Sequence, residues 1–158
     1  MGYIMQKKTK LYLESSVICM YYQNSAPYLM ELTRLFWENK LPYSDNYISE
    51  IVLDEIGATK NIRLRELLED LVKDFKVIEI TDEIADLSNT YISHRRIPRG
   101  DALHIASASI GEIDFLVTWN LRHLYKRGTQ EIIKEINTRL MIPIPAIVTP
   151  EDFFGEDI

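Results

Sequence analysis

Glu14, Glu55 and Asp101 are the residues of this chain whose types and placement could do chemistry together, with Thr118 and Asn120 beside them. Glu14 sits inside LYLESSVI, an otherwise apolar run, where a carboxylate is costly to desolvate unless something compensates its charge. Glu55 follows Ile51 and Val52 on a helical pattern, Asp101 opens DALHIASA, and Thr118 and Asn120 end and follow the apolar FLVT. Three carboxylates brought to one place repel one another, so their convergence makes sense chiefly around a cation. Oxygen donors without a cysteine or histidine cluster point to Mg²⁺ or Mn²⁺ rather than zinc. Hard cations held in this way serve phosphoryl chemistry, and phosphodiester hydrolysis is the natural reaction class. The candidate metal ligands are Glu14, Glu55, Asp101 and Asn120, with Thr118 beside them at the strand end.

Each of these residues also has a plainer reading. Asp101 after Gly100 suits a helix N-cap, Glu55 a solvated helix surface, Asn120 the cap of a short turn, and Thr118 a strand. Ser15 and Ser16 suit the start of the helix that holds Ile18 and Cys19. Composition and spacing leave the metal site and these readings both open. His94, His104 and His123 show no HExxH-type spacing; His104, one turn beyond Asp101, can hydrogen-bond across the core or reach the site.

These side chains meet only if the elements that carry them do. Leu11 to Leu13 reads as a strand, and Ser25 followed by Ala26 and Pro27 is a helix start, with Pro27 in the first turn and a stripe of Tyr28, Leu32, Leu35 and Phe36 up to Asn39. Asn46 to Ser49 is a strand entering a helix through Ile51, Val52, Glu55 and Ile56, and Leu64, Leu67, Leu68 and Leu71 mark the next helix. Lys76 to Ile80 is a strand, after which Thr81 caps a helix carrying Ile84, Leu87, Tyr91 and Ile92. Pro98 and Gly100 break the chain before a helix near Asp101. Phe115 to Thr118 is a strand, Gly128 to Leu140 a helix, and Ala146 to Val148 a last strand. The alternation predicts one α/β domain over 1–158, its core about 10–155, with a parallel central sheet flanked by helices on both faces. In such sheets ligands gather outside the carboxyl ends of the strands.

At 158 residues, 46% hydrophobic and 27% charged, the chain has ordinary globular composition. Its net charge of -6 argues against general coating of nucleic acid but leaves room for a local basic groove. The single Cys19, inside VICMYY, excludes an intrachain disulfide and reads as a buried thiol in a reducing cytosol. The opening MGYIMQKKTK has no apolar run of signal-peptide length, and Gln6 stands where a myristoylation site wants Ser or Thr. No run approaches membrane-spanning length, so a cytoplasmic protein is expected.

LYLESSVI, YISEIVLDEI, RGDALHIASA, DFLVTWNLRHL and IVTPEDFF, in this order from Lys10 to about Gly155, resemble the PIN-domain nucleases. The likeness is to the VapC-type toxins of bacterial and archaeal toxin–antitoxin pairs. The resemblance implies that Glu14, Glu55 and Asp101 stand for the family's first three acids. Asn120 stands for its fourth acidic position, and Thr118 for the threonine that orients the site. It further implies Mg²⁺- or Mn²⁺-dependent cleavage of single-stranded or structured RNA, a homodimer, and inhibition by a small antitoxin. Two residues depart from the pattern. Glu14 replaces the usual Asp, adding about 1.5 Å of reach, and Asn120 removes one negative charge, which favours a one-metal resting state.

RNA needs positive charge nearby. Arg95, Arg96 and Arg99 of HRRIPRG, with Arg122, Lys126 and Arg127, flank the acids in sequence; each also fits a solvated helix face. The expectation is a metal-dependent endoribonuclease, the toxin of a toxin–antitoxin module. Its rivals are a catalytically weak PIN-like module that binds RNA or protein, and a structure-specific DNA nuclease. VICMYYQ and RLRELLEDL either offer an apolar groove to an antitoxin or second subunit, or complete the domain's own core.

Overall fold

The computed structural model describes residues 7–155, so the MGYIMQ start read above for targeting signals lies outside them. The chain runs β1 (Lys10–Leu13), α1 (Ser15–Met20), α2 (Pro27–Asn39), β2 (Asp45–Ser49), α3 (Glu50–Gly57), α4 (Ile62–Leu71), β3 (Lys76–Ile78), α5 (Asp82–His94), α6 (Arg99–Ile110), β4 (Phe115–Val117), α7 (Arg127–Leu140) and β5 (Ala146–Val148). Short 3₁₀ turns occupy Leu41–Tyr43 and Pro150–Phe154. The strands form one sheet in the order β3-β2-β1-β4-β5, and every pairing is parallel. The expected α/β architecture is the observed one.

Burial follows position in the sheet. β1 and β4 are central, and Leu11, Tyr12, Leu13, Leu116 and Val117 are all fully buried, as strands covered on both faces must be. β3 lies at an edge, is short, and leaves Lys76 and Val77 exposed, which blunts the edge against pairing with another chain. α6 is hidden almost all round: its residues from Ala102 to Ser109 are buried. Its small Ala and Ser side chains let neighbouring elements approach closely, and Ser107 returns its hydroxyl to the Leu103 carbonyl at 2.7 Å.

Three expectations are corrected by the packing. Cys19 is exposed rather than buried, because α1 turns Val17 and Ile18 inward and leaves Cys19 outside. Tyr28 and Leu35 do not join the core stripe of α2; the buried positions there are Thr33 and Phe36. α6 begins at Arg99, with Pro98 at the N-cap, so Asp101 is in the first turn and is not the cap. RLRELLEDL divides between core and surface: Leu68 is buried, while its neighbour Ile62 at the start of α4 is exposed. Among the described residues no helix is long and apolar enough to cross a membrane.

Candidate metal centre

The sheet changes direction between β1 and β4: the chain builds β2 and β3 to one side of β1, then β4 and β5 to the other. Crossover connections leave on opposite faces at such a point, which opens a crevice beyond the strands' carboxyl ends. Glu14 directly follows β1 and Thr118 directly follows β4, so both stand at its floor.

Glu14 is 5% exposed and caps the N-terminus of α1. Its Oε2 accepts the Ser16 backbone N–H at 2.8 Å, and its Oε1 accepts the Ser16 hydroxyl at 2.7 Å and the Thr118 hydroxyl at 2.6 Å. Those hydroxyls are aimed by the chain after β4. The Trp119 N–H donates to Ser16 Oγ at 2.9 Å and the Asn120 N–H to Thr118 Oγ1 at 2.8 Å, which turns both hydroxyl protons toward Glu14. The burial of Glu14 is therefore compensated by hydrogen bonds before any cation is considered. A carboxylate offers about four acceptor sites, and the unfilled one is on Oε2.

Glu55, on α3, is half exposed, yet its Oε1 is held by His104 Nε2 at 2.7 Å. His104 is buried, and its Nδ1 lies 2.7 Å from the Tyr12 hydroxyl, itself 2.7 Å from Ser49 Oγ. Burial pushes the Tyr12 phenol far up, so it stays protonated. The bonding that satisfies all four groups has Ser49 donating to Tyr12, Tyr12 to His104 Nδ1, and His104 Nε2–H to Glu55. Burial alone would raise the Glu55 pKa, but the interactions with His104 and Ser15 together outweigh it and hold the carboxyl below its ordinary value. Glu55 is thereby an ionised ligand with one oxygen fixed.

Asp101 is half-buried, and burial followed by the charge of Glu14 raises its pKa. Its Oδ1 accepts from Asn120 Nδ2 at 3.3 Å, while Asn120 Oδ1 accepts the His123 N–H at 3.0 Å. Asn120 thus caps the turn after β4, as its plainer reading had it, and also steadies Asp101.

Donor atoms of Glu14, Glu55 and His104 lie within 4.8 Å of one another. Both His104 nitrogens are engaged, so the free donors at this point are carboxylate oxygens, the set a hard divalent cation prefers. Ser15 supplies a second sign: its hydroxyl is buried and has no partner, although it lies close enough to Glu55 to help lower that carboxyl's pKa. A buried hydroxyl without a partner beside a carboxylate suits a site that takes up a hydrated ion. The residues present fit Mg²⁺ or Mn²⁺.

Of the expected site residues, Glu14 and Thr118 are in direct contact, Asp101 and Asn120 are in direct contact, and Glu55 shares the cluster with Glu14. Arg95, Arg96 and Arg122 line one cleft beside Asn120, and Arg99 does not. Tyr12 and Ser49 were not singled out by the sequence, and Ser15 and Ser16 were read only as helix caps, a place that Glu14 takes. Tyr12 carried a readable signal, since a tyrosine in a central strand needs a partner for its hydroxyl.

No protein-family model matches the chain, and no curated protein matches it in sequence. Solved structures do match. The chain is similar to DNA-bound VapBC from Salmonella typhimurium, with a TM-score of 0.59 and 18% identity over 90% of this chain and 98% of that one. It is similar to a toxin–antitoxin complex from Klebsiella pneumoniae, with a TM-score of 0.60 and 17% identity over 75% and 93%. It is similar to VapBC-1 from nontypeable Haemophilus influenzae, with a TM-score of 0.58 and 15% identity over 89% and 98%. At these identities the likeness is one of fold. That fold is the PIN-like one.

Proposed function

We propose that this protein is a divalent-metal-dependent endoribonuclease and the toxin of a toxin–antitoxin module, working in the cytoplasm as a homodimer held in check by a small antitoxin. The observation that carries the reading is the cluster of the Glu14 and Glu55 carboxylates, with Asp101 near enough to feel the charge of both, in the switch-point crevice of a fold shared with VapBC structures.

Glu14, Glu55 and Asp101 would hold Mg²⁺ or Mn²⁺. When bound, such a cation neutralises phosphate oxygens and acidifies water. The protein side chains then divide the remaining work. Glu14, fixed by Ser16 and Thr118, supplies a rigid anionic wall. Glu55 is kept ionised by His104 and is a poor base. Asp101, held by one long hydrogen bond from Asn120, would be the acceptor for the proton of the attacking water. As that water's oxygen bonds to phosphorus, the opposite P–O bond breaks, the leaving oxygen takes a proton from solvent, and Asp101 returns its proton to solvent. Asn120 keeps Asp101 turned toward the crevice.

The test is cleavage of an RNA panel, and of DNA of the same sequence, by purified protein in Mn²⁺, Mg²⁺ or EDTA, beside Asp101→Asn. Metal-dependent RNA cutting that is lost in the variant supports the reading. Absence of both cutting and calorimetric metal binding would overturn it in favour of a PIN-like binding module. Light scattering checks the dimer.

A further inference from the structure

The cations of this acidic protein are not spread evenly around its site. Arg95, Arg96, Arg122, His123 and Lys126 line one small cleft of ≈ 40 Å³, closed by Ile97, Pro98 and Thr129, with no carboxylate among the lining residues. The ion pairs of the described residues lie elsewhere: Arg95, Arg96, Arg122 and Lys126 belong to none of them. Like charges gathered without counter-ions repel, so the arrangement works against folding stability and calls for an anion.

The cleft is also shaped for its charge. Gly128 leaves room for the Arg95 guanidinium against the first turn of α7: a Cβ there would lie 2.5 Å from Arg95 Nη1 and push the flexible arm aside. Pro98 and Lys126, which line the cleft, are the N-caps of α6 and α7, and neither supplies a capping side chain. The first turn of α7 holds no acidic residue, although the positive end of a helix favours one there. The N-terminus of α7 therefore adds its partial positive charge to that of the side chains, whereas the first turn of α6 already carries Asp101.

Asn120 joins this cleft to the acidic crevice, bonding the His123 N–H on one side and Asp101 on the other. We infer that the cleft is a phosphate subsite that holds one backbone phosphate of a nucleic-acid strand whose neighbouring phosphodiester lies in the carboxylate crevice. The volume suits a single phosphate and excludes a base. This rests on the nuclease reading for the strand's path, but not for the cleft's affinity for phosphate.

The experiment measures binding of a fluorescein-labelled single-stranded RNA by anisotropy in EDTA, so that no cleavage is needed, over a series of salt concentrations. Arg95→Gln/Arg122→Gln is compared with wild type and with Arg63→Gln/Lys73→Gln, an equal charge loss on the far α4 side. The cleft variant is expected to bind roughly tenfold more weakly, with a slope of log K against log salt shallower by about 0.7 for the lost phosphate contact. Equal affinity for 5′-phosphorylated and 5′-hydroxyl RNA would place a backbone phosphodiester in the cleft; a strong preference for the 5′-phosphate would assign it to a chain end and overturn the proposed path. An unchanged slope, or an equal loss in the α4 control, overturns the subsite. A shifted slope in a protein that cuts nothing would retain the subsite and reject the nuclease reading.

Discussion

Tyr12→Phe isolates the hydrogen-bonded chain behind Glu55 with the smallest change available. The substitution keeps the ring in its fully buried position and removes one oxygen that makes two 2.7 Å contacts. His104 Nδ1 and Ser49 Oγ then lose their partner inside the core. A buried group left unsatisfied costs about 1–3 kcal/mol; allowing for the apolar gain of the new ring edge, a net loss of about 2 kcal/mol is expected. For a chain of this length that lowers Tm by roughly 4–8 °C. The second effect falls on the carboxylate. Without the phenol, Nδ1 is free to take the proton, and the imidazole no longer has to present Nε2–H to Glu55. Removing a group that orients a metal's ligands costs about 10–100-fold in affinity, and Mn²⁺ binding is expected to weaken by about tenfold. Differential scanning calorimetry in EDTA reads the first effect, isothermal titration with Mn²⁺ the second, and ¹⁵N chemical shifts of His104 the tautomer. A lowered Tm with unchanged Mn²⁺ affinity and an unchanged tautomer would refute the reasoning, because His104 would then be only a core residue.

Glu14→Ala removes a helix cap as well as a ligand, and is expected to lose about 1 kcal/mol for the cap alone; Glu14→Gln keeps the shape and is the cleaner probe, expected to abolish metal binding by calorimetry with a smaller fall in Tm. The raised pKa of Asp101 means the folded protein binds that proton more tightly than the unfolded chain. The contribution is thus present at acid pH and lost as pH rises through the raised pKa. Metal-free Asp101→Asn should accordingly be at least as stable as wild type at neutral pH, with the difference closing in acid; a variant clearly less stable at neutral pH would contradict this. Glu55 has the opposite sign: its lowered pKa gives stability above the ordinary carboxylate range that is lost as pH falls through the folded value, and Glu55→Gln should flatten that limb of a Tm-against-pH curve. Mn²⁺ at about 100 times its Kd should add about 2.7 kcal/mol to wild type, roughly 5–10 °C in Tm, and an equal gain in Glu14→Gln would remove Glu14 from the ligand set.

The strands and helices were legible because each carries its own period or punctuation. Pro27 starts α2, Thr81 caps α5 through the Ile84 N–H at 3.3 Å, and the apolar triplets of β1, β4 and β5 stand at the centre and flank of the sheet. Glu14 and Asp101 were legible because one follows a strand and the other stands at the start of a helix, where parallel sheets put their crevices, whereas Glu55 sits late on α3 with no such local mark. The supports of these acids were not legible. Ser49 pairs with Tyr12 across 37 positions, and His104 with Tyr12 across 92, and no local pattern marks such pairs. Cys19 was misread for a related reason: a short helix at a sheet's edge turns one residue outward in an apolar run, and hydrophobicity alone does not say which.

The two halves of the crevice are held by different physics, and that difference bears on how it would work. Glu14 and Glu55 are fixed by bonds already made, to Ser16 and Thr118 on one side and to His104 on the other, so neither has to reorganise when a cation arrives. Asp101 has one long hydrogen bond, from Asn120, and carries the unrelieved repulsion of Glu14. A cation would relieve that repulsion most at Asp101, the group with the least to lose on moving. The fixed pair is suited to hold charge in place, and the loosely held acid to exchange a proton. The proposed division of roles thus rests on the hydrogen-bond inventory of the crevice.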